Sequence, residues 1–176
     1  LQETHSIIED ERSWCITWGN EAIFAHGEKN ARGCVILYSK STFDHIYETI
    51  SDKGGRYCGI IAKMLNETTI ILNIYAPNEP KDNAKFFREM HDIIQKACDK
   101  YGGPRIILGG DFNFVEDDVM DRSPINAANL FRRSKETLGC IKETFELVDI
   151  FRFLHPDRRS FTWRRTKPEP QQSRID

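Results

Sequence analysis

The sequence predicts an α+β fold built as a layered sandwich. Three observations carry that expectation. Short apolar runs of strand type follow one another along the chain, two longer amphipathic helices sit between groups of them, and strand–helix–strand alternation is not sustained. A doubly wound parallel sheet would need that alternation. "GCVILYS" (33–39), "RYCGIIAKML" (56–65), "TTIILNIYA" (68–76) and "RIILGG" (105–110) are rich in Val, Ile, Leu and Tyr. Each is bounded by Gly, Asn, Asp or Pro and reads as a strand. The second and third are joined by "NET", a polar link short enough for a hairpin. A further strand is expected over "SFTWRR" (160–165), and "SRID" (173–176) reads as the start of another.

The first helix falls in "DNAKFFREMHDIIQKACDKYGG", where Phe86, Met90, Ile93, Ala97 and Tyr101 recur at three- and four-residue steps. Asp82 or Asn83 is placed to cap its start, and Gly102–Gly103–Pro104 ends it. The second, "KETLGCIKETFELVDIF" (135–151), puts Leu138, Ile141, Phe145 and Val148 on one side. The stretch 117–134 has no clear period and reads as an irregular surface loop.

With 176 residues the chain is sized for a single domain, 1–176, able to bury roughly 70% of its unfolded surface. A hydrophobic share of 39% with 30% charged residues excludes a disordered chain. No apolar run approaches the ~18 residues of a membrane span, so no membrane partner is expected. No secretory signal is visible, and a chain that starts at Leu1 rather than Met is expected to be truncated there. The five cysteines (Cys15, Cys34, Cys58, Cys98, Cys140) are unclustered and odd in number, which reads as reduced thiols of an intracellular protein, not as a zinc site. Neither G-x-G-x-x-G nor G-x-x-x-x-G-K-[ST] occurs, so glycine-rich nucleotide loops are excluded. Net charge is −2, but from Phe151 onward seven Arg/Lys face three acids, which makes this tail +4 and the rest −6. A basic segment beside an acidic centre suits a polyanion held near a metal ion; a solvated charged loop accounts for it equally well.

Polar groups recur where strands end. In "LGGDFN" (108–113) the glycines are expected to let the strand stop sharply, and strand alternation would send Asp111 and Asn113 to one face and Phe112 to the other. The same spacing holds for Asn73 and Tyr75 in "LNIYAPN" and for Arg174 and Asp176 in "SRID", while Glu3 of "LQETH" follows what would be a strand end. Each has a plainer account. Asp111 and Asn113 are common turn residues, Tyr75 could be a half-buried core phenol, and Glu116, Asp117 and Asp118 could be a solvated loop. His5, His26, His45, His91 and His155 show no ligand spacing and read as structural or surface residues. Only the ensemble is specific.

Taken together and in order, "LQETH", "LNIYAPN", "GGDFN", "DR" (Asp121–Arg122), "LVDIFRFLHP", "SFTW" and "SRID" resemble the endonuclease/exonuclease/phosphatase superfamily. Within it they look most like the apurinic-type endonuclease domain of LINE-type non-LTR retrotransposons. The resemblance implies a four-layered α/β sandwich, two mixed β-sheets face to face with flanking helices. It implies hydrolysis of phosphate esters with Mg²⁺ or Mn²⁺. For the retrotransposon branch it implies nicking of double-stranded DNA to leave a 3′-hydroxyl that primes a reverse transcriptase domain of the same polypeptide, in the nucleus at the time of action.

By the same resemblance, Glu3 matches the metal-binding glutamate, and Asp111 matches the aspartate that orients or deprotonates the attacking water and touches the metal. Asn113 matches the amide that holds the scissile phosphate. Tyr75 matches a phosphate-contacting tyrosine, and Asn78 an asparagine that positions the backbone. Asp176 matches the aspartate that pairs with a catalytic histidine further on. Thr162, Arg122 and, in "SRID", Arg174 match the DNA-facing, substrate-binding surface. An N-terminal strand before Leu1 and a Ser-Asp-His strand after Asp176 belong to the pattern and fall outside the sequence, so a domain incomplete at both termini, nicking feebly by itself, is expected. An apurinic-site repair nuclease or exonuclease of the same fold, or a catalytically dead retroelement remnant, are the alternatives.

Overall fold

The computed structural model describes residues 1–28, 31–125 and 130–176. The chain forms two compact units from interleaved segments: Leu1–Tyr75 with Ile93–Asp111, and Ala76–Asp92 with Phe112–Asp176.

The first unit holds the helix α1 (Glu11–Trp18), an antiparallel pair β1 (Glu21–Ala25) and β2 (Cys34–Tyr38), and a four-stranded mixed sheet. The sheet runs β3 (His45–Ser51), β4 (Tyr57–Met64), β5 (Glu67–Tyr75) and β6 (Arg105–Asp111) in that spatial order. β6 lies parallel to β5. A parallel neighbour cannot be reached by a hairpin, and the intervening crossover is the helix α2 (Pro80–Tyr101). Ile60, Ile61, Ala62, Ile70, Leu72 and Ile74 on the two central strands are all buried. Burial on both faces accounts for their near-continuous apolar sequence, and each large side chain contributes about 1.5–3 kcal/mol.

The hairpin between β4 and β5 turns on Leu65 (φ 53°) and Asn66 (φ 65°). Two successive left-handed residues match the twist of the flanking strands. The link is therefore one residue earlier than "NET", whose Glu67 and Thr68 already pair with Met64 and Lys63.

The second unit holds a three-stranded antiparallel sheet, order β7 (Arg122–Ser123), β9 (Gln171–Ser173), β8 (Trp163–Arg165), and the helices α3 (Arg132–Thr144) and α4 (Ile150–Leu154). Its aromatic core has Phe87 stacked on Phe112 with centroids 5.7 Å apart and meeting Phe114 edge-on at 5.5 Å.

Several elements depart from the sequence reading. β3 is an edge strand whose residues alternate between exposed and half-buried, so no apolar run announces it. α1 buries none of its residues and shows no apolar face for the same reason. The second expected helix breaks after Thr144, Glu146 takes φ 53°, and Val148 is 66% exposed instead of joining the face of Leu138 and Ile141. "SRID" does not begin a strand but ends one: β9 covers Gln171–Ser173, and of the four residues only Ser173 pairs. Asn83 does not cap α2: it is fully buried inside the helix, and its amide donates to the carbonyls of Pro77 (2.8 Å) and Phe112 (2.9 Å). The expected loop 117–134 contains β7 and the start of α3, and its residues 126–129 lie outside the described residues.

Candidate functional site

In the first unit β5 ends at Tyr75, 8% exposed, whose hydroxyl donates to Glu3 Oε1 at 2.5 Å. Glu3 reaches it because the N-terminal segment is tied down on both sides. Gln2 donates to Asn73 Oδ1 (2.5 Å), Asn73 Nδ2 donates to the Leu1 carbonyl (2.8 Å), and the Thr4 and His5 amides donate to Gly33 and Arg32. Asn73 is thus occupied in anchoring. Glu3 itself sits at φ 51°, a left-handed conformation that costs a side-chain-bearing residue about 1–2 kcal/mol. Such strain persists where surrounding contacts over-determine it, and it concentrates at working sites.

Asp111, the last residue of β6, is the register partner of Tyr75 in the parallel ladder. The Tyr75 phenol is pushed up to about 12, first by burial, then by the hydrogen bond and charge of Glu3, with Asp111 adding to the same effect. One phenol therefore feels two carboxylates from distant stretches of chain. The Arg56 guanidinium lies over the Tyr75 ring, 5.0 Å from its centroid, and its Nη1 donates to the Tyr75 carbonyl at 3.4 Å. Burial, then the charge of Arg32, lowers the pKa of Arg56.

The glycines of "LGGDFN" act differently from the sequence expectation. Gly110 lies inside β6 at φ 136°, where a Cβ would fall 2.0 Å from the Ile74 carbonyl oxygen. It is glycine because β5 passes close by, not because the strand stops there.

In the second unit Asn113 takes φ 55°, so the backbone turns and strand alternation does not govern its direction relative to Asp111. Its Nδ2 donates to the Ala76 carbonyl at 2.7 Å. The preceding amide, Phe112 N, donates to the Ile175 carbonyl at 2.7 Å, and Ile175 N donates to Thr162 Oγ1 at 3.2 Å. The turn after β6 is thereby joined to the segment that carries Asp176. Thr162, Asn78 and Asp176 are exposed. Arg122 is half-buried, 3.6 Å from Asp118, and its carbonyl accepts from the Arg159 guanidinium.

Arg174, expected among the substrate-binding residues, has its guanidinium committed elsewhere. Nε meets Asp121 Oδ1 at 2.9 Å and Nη2 meets Asp149 Oδ2 at 2.5 Å, with the side chain 12% exposed. Asp121 is 1% exposed and also receives Arg152 Nη2 at 2.5 Å. Burial opposes the charge of Arg174, yet the two carboxylates outweigh it and raise its pKa. For Asp149 burial pushes upward, and the Arg152 amide and Arg174 guanidinium more than offset it, holding the carboxyl below its ordinary value.

The sequence pattern of the Endonuclease/Exonuclease/phosphatase family matches residues 1–176, the whole chain. The chain belongs to that family. It is similar to the transposon TX1 uncharacterized 149 kDa protein of Xenopus laevis, 30% identical over 177 residues. That alignment takes in 100% of this chain and 13% of the transposon protein. Among solved structures it is similar to the AP endonuclease LMAP of Leishmania major, at TM-score 0.67 and 16% identity over 89% of this chain and 60% of that one. It is also similar to the endonuclease domain of TRAS1, a telomere-specific non-LTR retrotransposon, at TM-score 0.54 and 12% identity over 99% of this chain and 80% of that one. Both likenesses bear out the α+β fold of sheets and helices.

Arg56, Asp149 and Arg152 were not singled out from sequence. Asp149 and Arg152 lie within "LVDIFRFLHP", whose order alone carried a family signal, and Arg56 follows the glycine pair that opens β4. Among the described residues no helix is long and apolar enough to cross a membrane.

Proposed function

We propose that this family member is a divalent-metal-dependent phosphodiester hydrolase, the DNA-nicking endonuclease of a non-LTR retrotransposon. The observation that carries the reading is the Tyr75 hydroxyl held by Glu3, with Asp111 as register partner of the same tyrosine. A buried phenol kept protonated between two carboxylates is costly as a core device and useful as a hydrogen-bond donor to phosphate.

Glu3 and Asp111 fit Mg²⁺ or Mn²⁺. Their oxygens are hard donors, and Mg²⁺ is ordinarily held by one or two carboxylates with waters and substrate phosphate completing the octahedron. Among the described residues no group of three or more His, Cys, Asp or Glu is placed to hold a metal ion, so water and substrate oxygens would have to supply the remaining ligands. When bound, the ion screens the phosphodiester and stabilises charge on the leaving oxygen. Asp111 orients and deprotonates water for attack at phosphorus. Tyr75 gives its one hydrogen-bonding proton to Glu3 in this structure, and would donate to a phosphate oxygen once Glu3 turns to an ion. Asn113 offers an amide where a further carboxylate would repel the substrate, Asn78 and Thr162 add neutral contacts, and Arg122 adds a cationic one. Asp176 serves as the acceptor for a catalytic histidine of the longer polypeptide.

Of the basic residues from Phe151 onward, the exposed Arg158, Arg164, Arg165 and Lys167 supply salt-sensitive backbone contacts to duplex DNA. The similarity to a 149 kDa transposon protein supports a longer polypeptide, in which a reverse transcriptase domain extends the nicked 3′-hydroxyl in the nucleus.

The test is nicking of supercoiled plasmid in Mg²⁺, with EDTA and Asp111→Asn as controls, run beside an abasic duplex. Mg²⁺-dependent nicking of intact plasmid that Asp111→Asn abolishes supports the proposal. Cleavage confined to the abasic duplex transfers the assignment to a repair nuclease, and inactivity on both with retained DNA binding leaves a remnant.

A further inference from the structure

We propose that Asp121 is a positioning residue: it grips Arg174 so that the segment Arg174–Asp176 stays fixed beside the Phe112–Asn113 turn. The catalytic consequence rests on the nuclease reading; the structural grip does not.

The grip has two points. The Asp121 carboxylate receives Arg174 Nε (2.9 Å) and Nη2 (3.1 Å), while the Asp121 main-chain carbonyl accepts the Arg174 amide at 2.9 Å. Side chain and backbone of one residue thus hold side chain and backbone of the other. A paired, planar fork fixes orientation as well as distance, which a lysine ammonium does not.

The remaining partners close the set. Arg152 Nη2 completes Asp121, and Asp149 Oδ2 completes Arg174. Asp149 Oδ1 also accepts the Arg152 amide at 3.0 Å and caps the start of α4. Arg152 Nη1 donates to the carbonyls of His155, Pro156 and Arg158, and the Phe151 ring lies beneath both guanidinium groups, 5.7 and 5.4 Å from its centroid. Two carboxylates and two guanidiniums sum to zero charge. A phosphate could take Arg174 only by leaving the 1%-exposed Asp121 short of its partner.

What the grip positions follows along the chain. Arg174 is succeeded by Ile175, whose carbonyl accepts Phe112 N and whose amide donates to Thr162 Oγ1. Asp176 is the next residue, and Asn113 follows Phe112. Releasing Arg174 therefore loosens the mount of Asp176, Thr162 and the Asn113 turn together, without removing any group that touches substrate.

The experiment compares wild type with Asp121→Asn, Asp149→Asn and Arg174→Lys by amide hydrogen exchange and by single-turnover cleavage with DNA affinity measured separately. In Asp121→Asn, exchange protection at Phe112 and Ile175 is expected to fall while that of β4 and β5 holds. The cleavage rate constant at saturating DNA is expected to drop by about 10–100-fold with little change in DNA affinity, a size typical of lost outer supports. Arg174→Lys should retain part of both, and Asp149→Asn, which leaves Asp121 paired, should show the milder loss. The proposal is overturned if Phe112 and Ile175 keep full protection in a folded Asp121→Asn. It is equally overturned if DNA affinity falls while the cleavage rate constant stays, since Arg174 would then be a substrate contact. Should Asp121→Asn fail to fold, loss of protection at Phe112 in the Asp149→Asn and Arg174→Lys variants supports the grip and full protection rejects it. If wild type does not nick DNA, the nuclease reading fails alone and the exchange measurements still decide this one.

Discussion

Asp121 and Asp149 of the second unit and Glu3 of the first are treated in opposite ways. In the second unit Asp121 and Asp149 meet guanidinium groups at 2.5–3.1 Å, and their charge is spent inside the network. In the first unit Glu3 meets a phenol, a partner that donates a hydrogen bond but carries no positive charge. Neutralised carboxylates hold structure; a carboxylate paired only with a neutral donor keeps its field for something else. The backbone agrees, since Glu3 is held at φ 51° whereas Asp149 caps a helix from ordinary extended geometry. On the proposed reading, charge balance more than residue type separates the metal-binding acid Glu3 from the structural acids Asp121 and Asp149.

The largest effect expected is on chemistry. Asp111→Asn keeps size and removes the base, and nicking in Mg²⁺ should fall by about 10²–10⁴-fold with the fold intact by circular dichroism. Retained nicking would place the base elsewhere. Next, stability should divide along the same line. Asp121→Ala leaves Arg152 and Arg174 facing an emptied buried position and should cost about 3–5 kcal/mol in denaturant unfolding. Glu3→Gln removes a charge that forms no ion pair among the described residues, so it should cost far less while weakening metal affinity. Equal losses from the two substitutions would erase the distinction.

Acid and alkali should attack different units. Asp149 is held below its unfolded value near 3.9, so its contribution is present above that pH and is lost as pH falls through the folded value. Tyr75 is raised from about 10 to about 12, so the folded state holds its proton longer than the unfolded chain does. Its contribution is full below pH ~10 and is lost as pH rises through the folded value. Tyr75→Phe should therefore flatten the alkaline limb of the stability profile, and Asp149→Asn the acid limb. A profile whose limbs respond to the reverse substitutions would contradict the pairings.

What the sequence made legible follows from where burial dictates residue choice. β4, β5 and α2 were readable because burial dictates their apolar residues, and β6 because its Ile106–Leu108 run is apolar even though Ile107 is exposed. β3, α1 and the break after Thr144 were not, since an edge strand and an exposed helix need no apolar pattern and Glu146 is an unexceptional residue in a left-handed turn. At the site, Glu3, Tyr75 and Asp111 were recognised through ordered motifs, but their pairing depends on how Asn73 ties down the N-terminal segment, a long-range contact no local pattern encodes. Arg174 shows the opposite limit. A basic residue in a DNA-facing motif reads as a phosphate contact until Asp121 and Asp149 are found on it.

Backbone strain offers the smallest and sharpest test. Leu65 occupies φ 53°, nearly the angle of Glu3 and Asn113, yet it is 81% exposed in a hairpin turn and belongs to no hydrogen-bonded cluster of functional type. If positive φ by itself marked a working position, Leu65 would be one. Its strain answers instead to the two-residue turn, which demands a left-handed residue there whatever the side chain. Leu65→Gly should stabilise the fold by about 1 kcal/mol, less the entropy glycine adds to the unfolded chain, and leave nicking unchanged. Asn113→Gly relieves the same torsion but deletes the amide, so it should keep stability near wild type and lose activity. A Leu65→Gly variant that lost nicking would show that left-handed geometry, not the chemistry mounted on it, is the feature the two sites share.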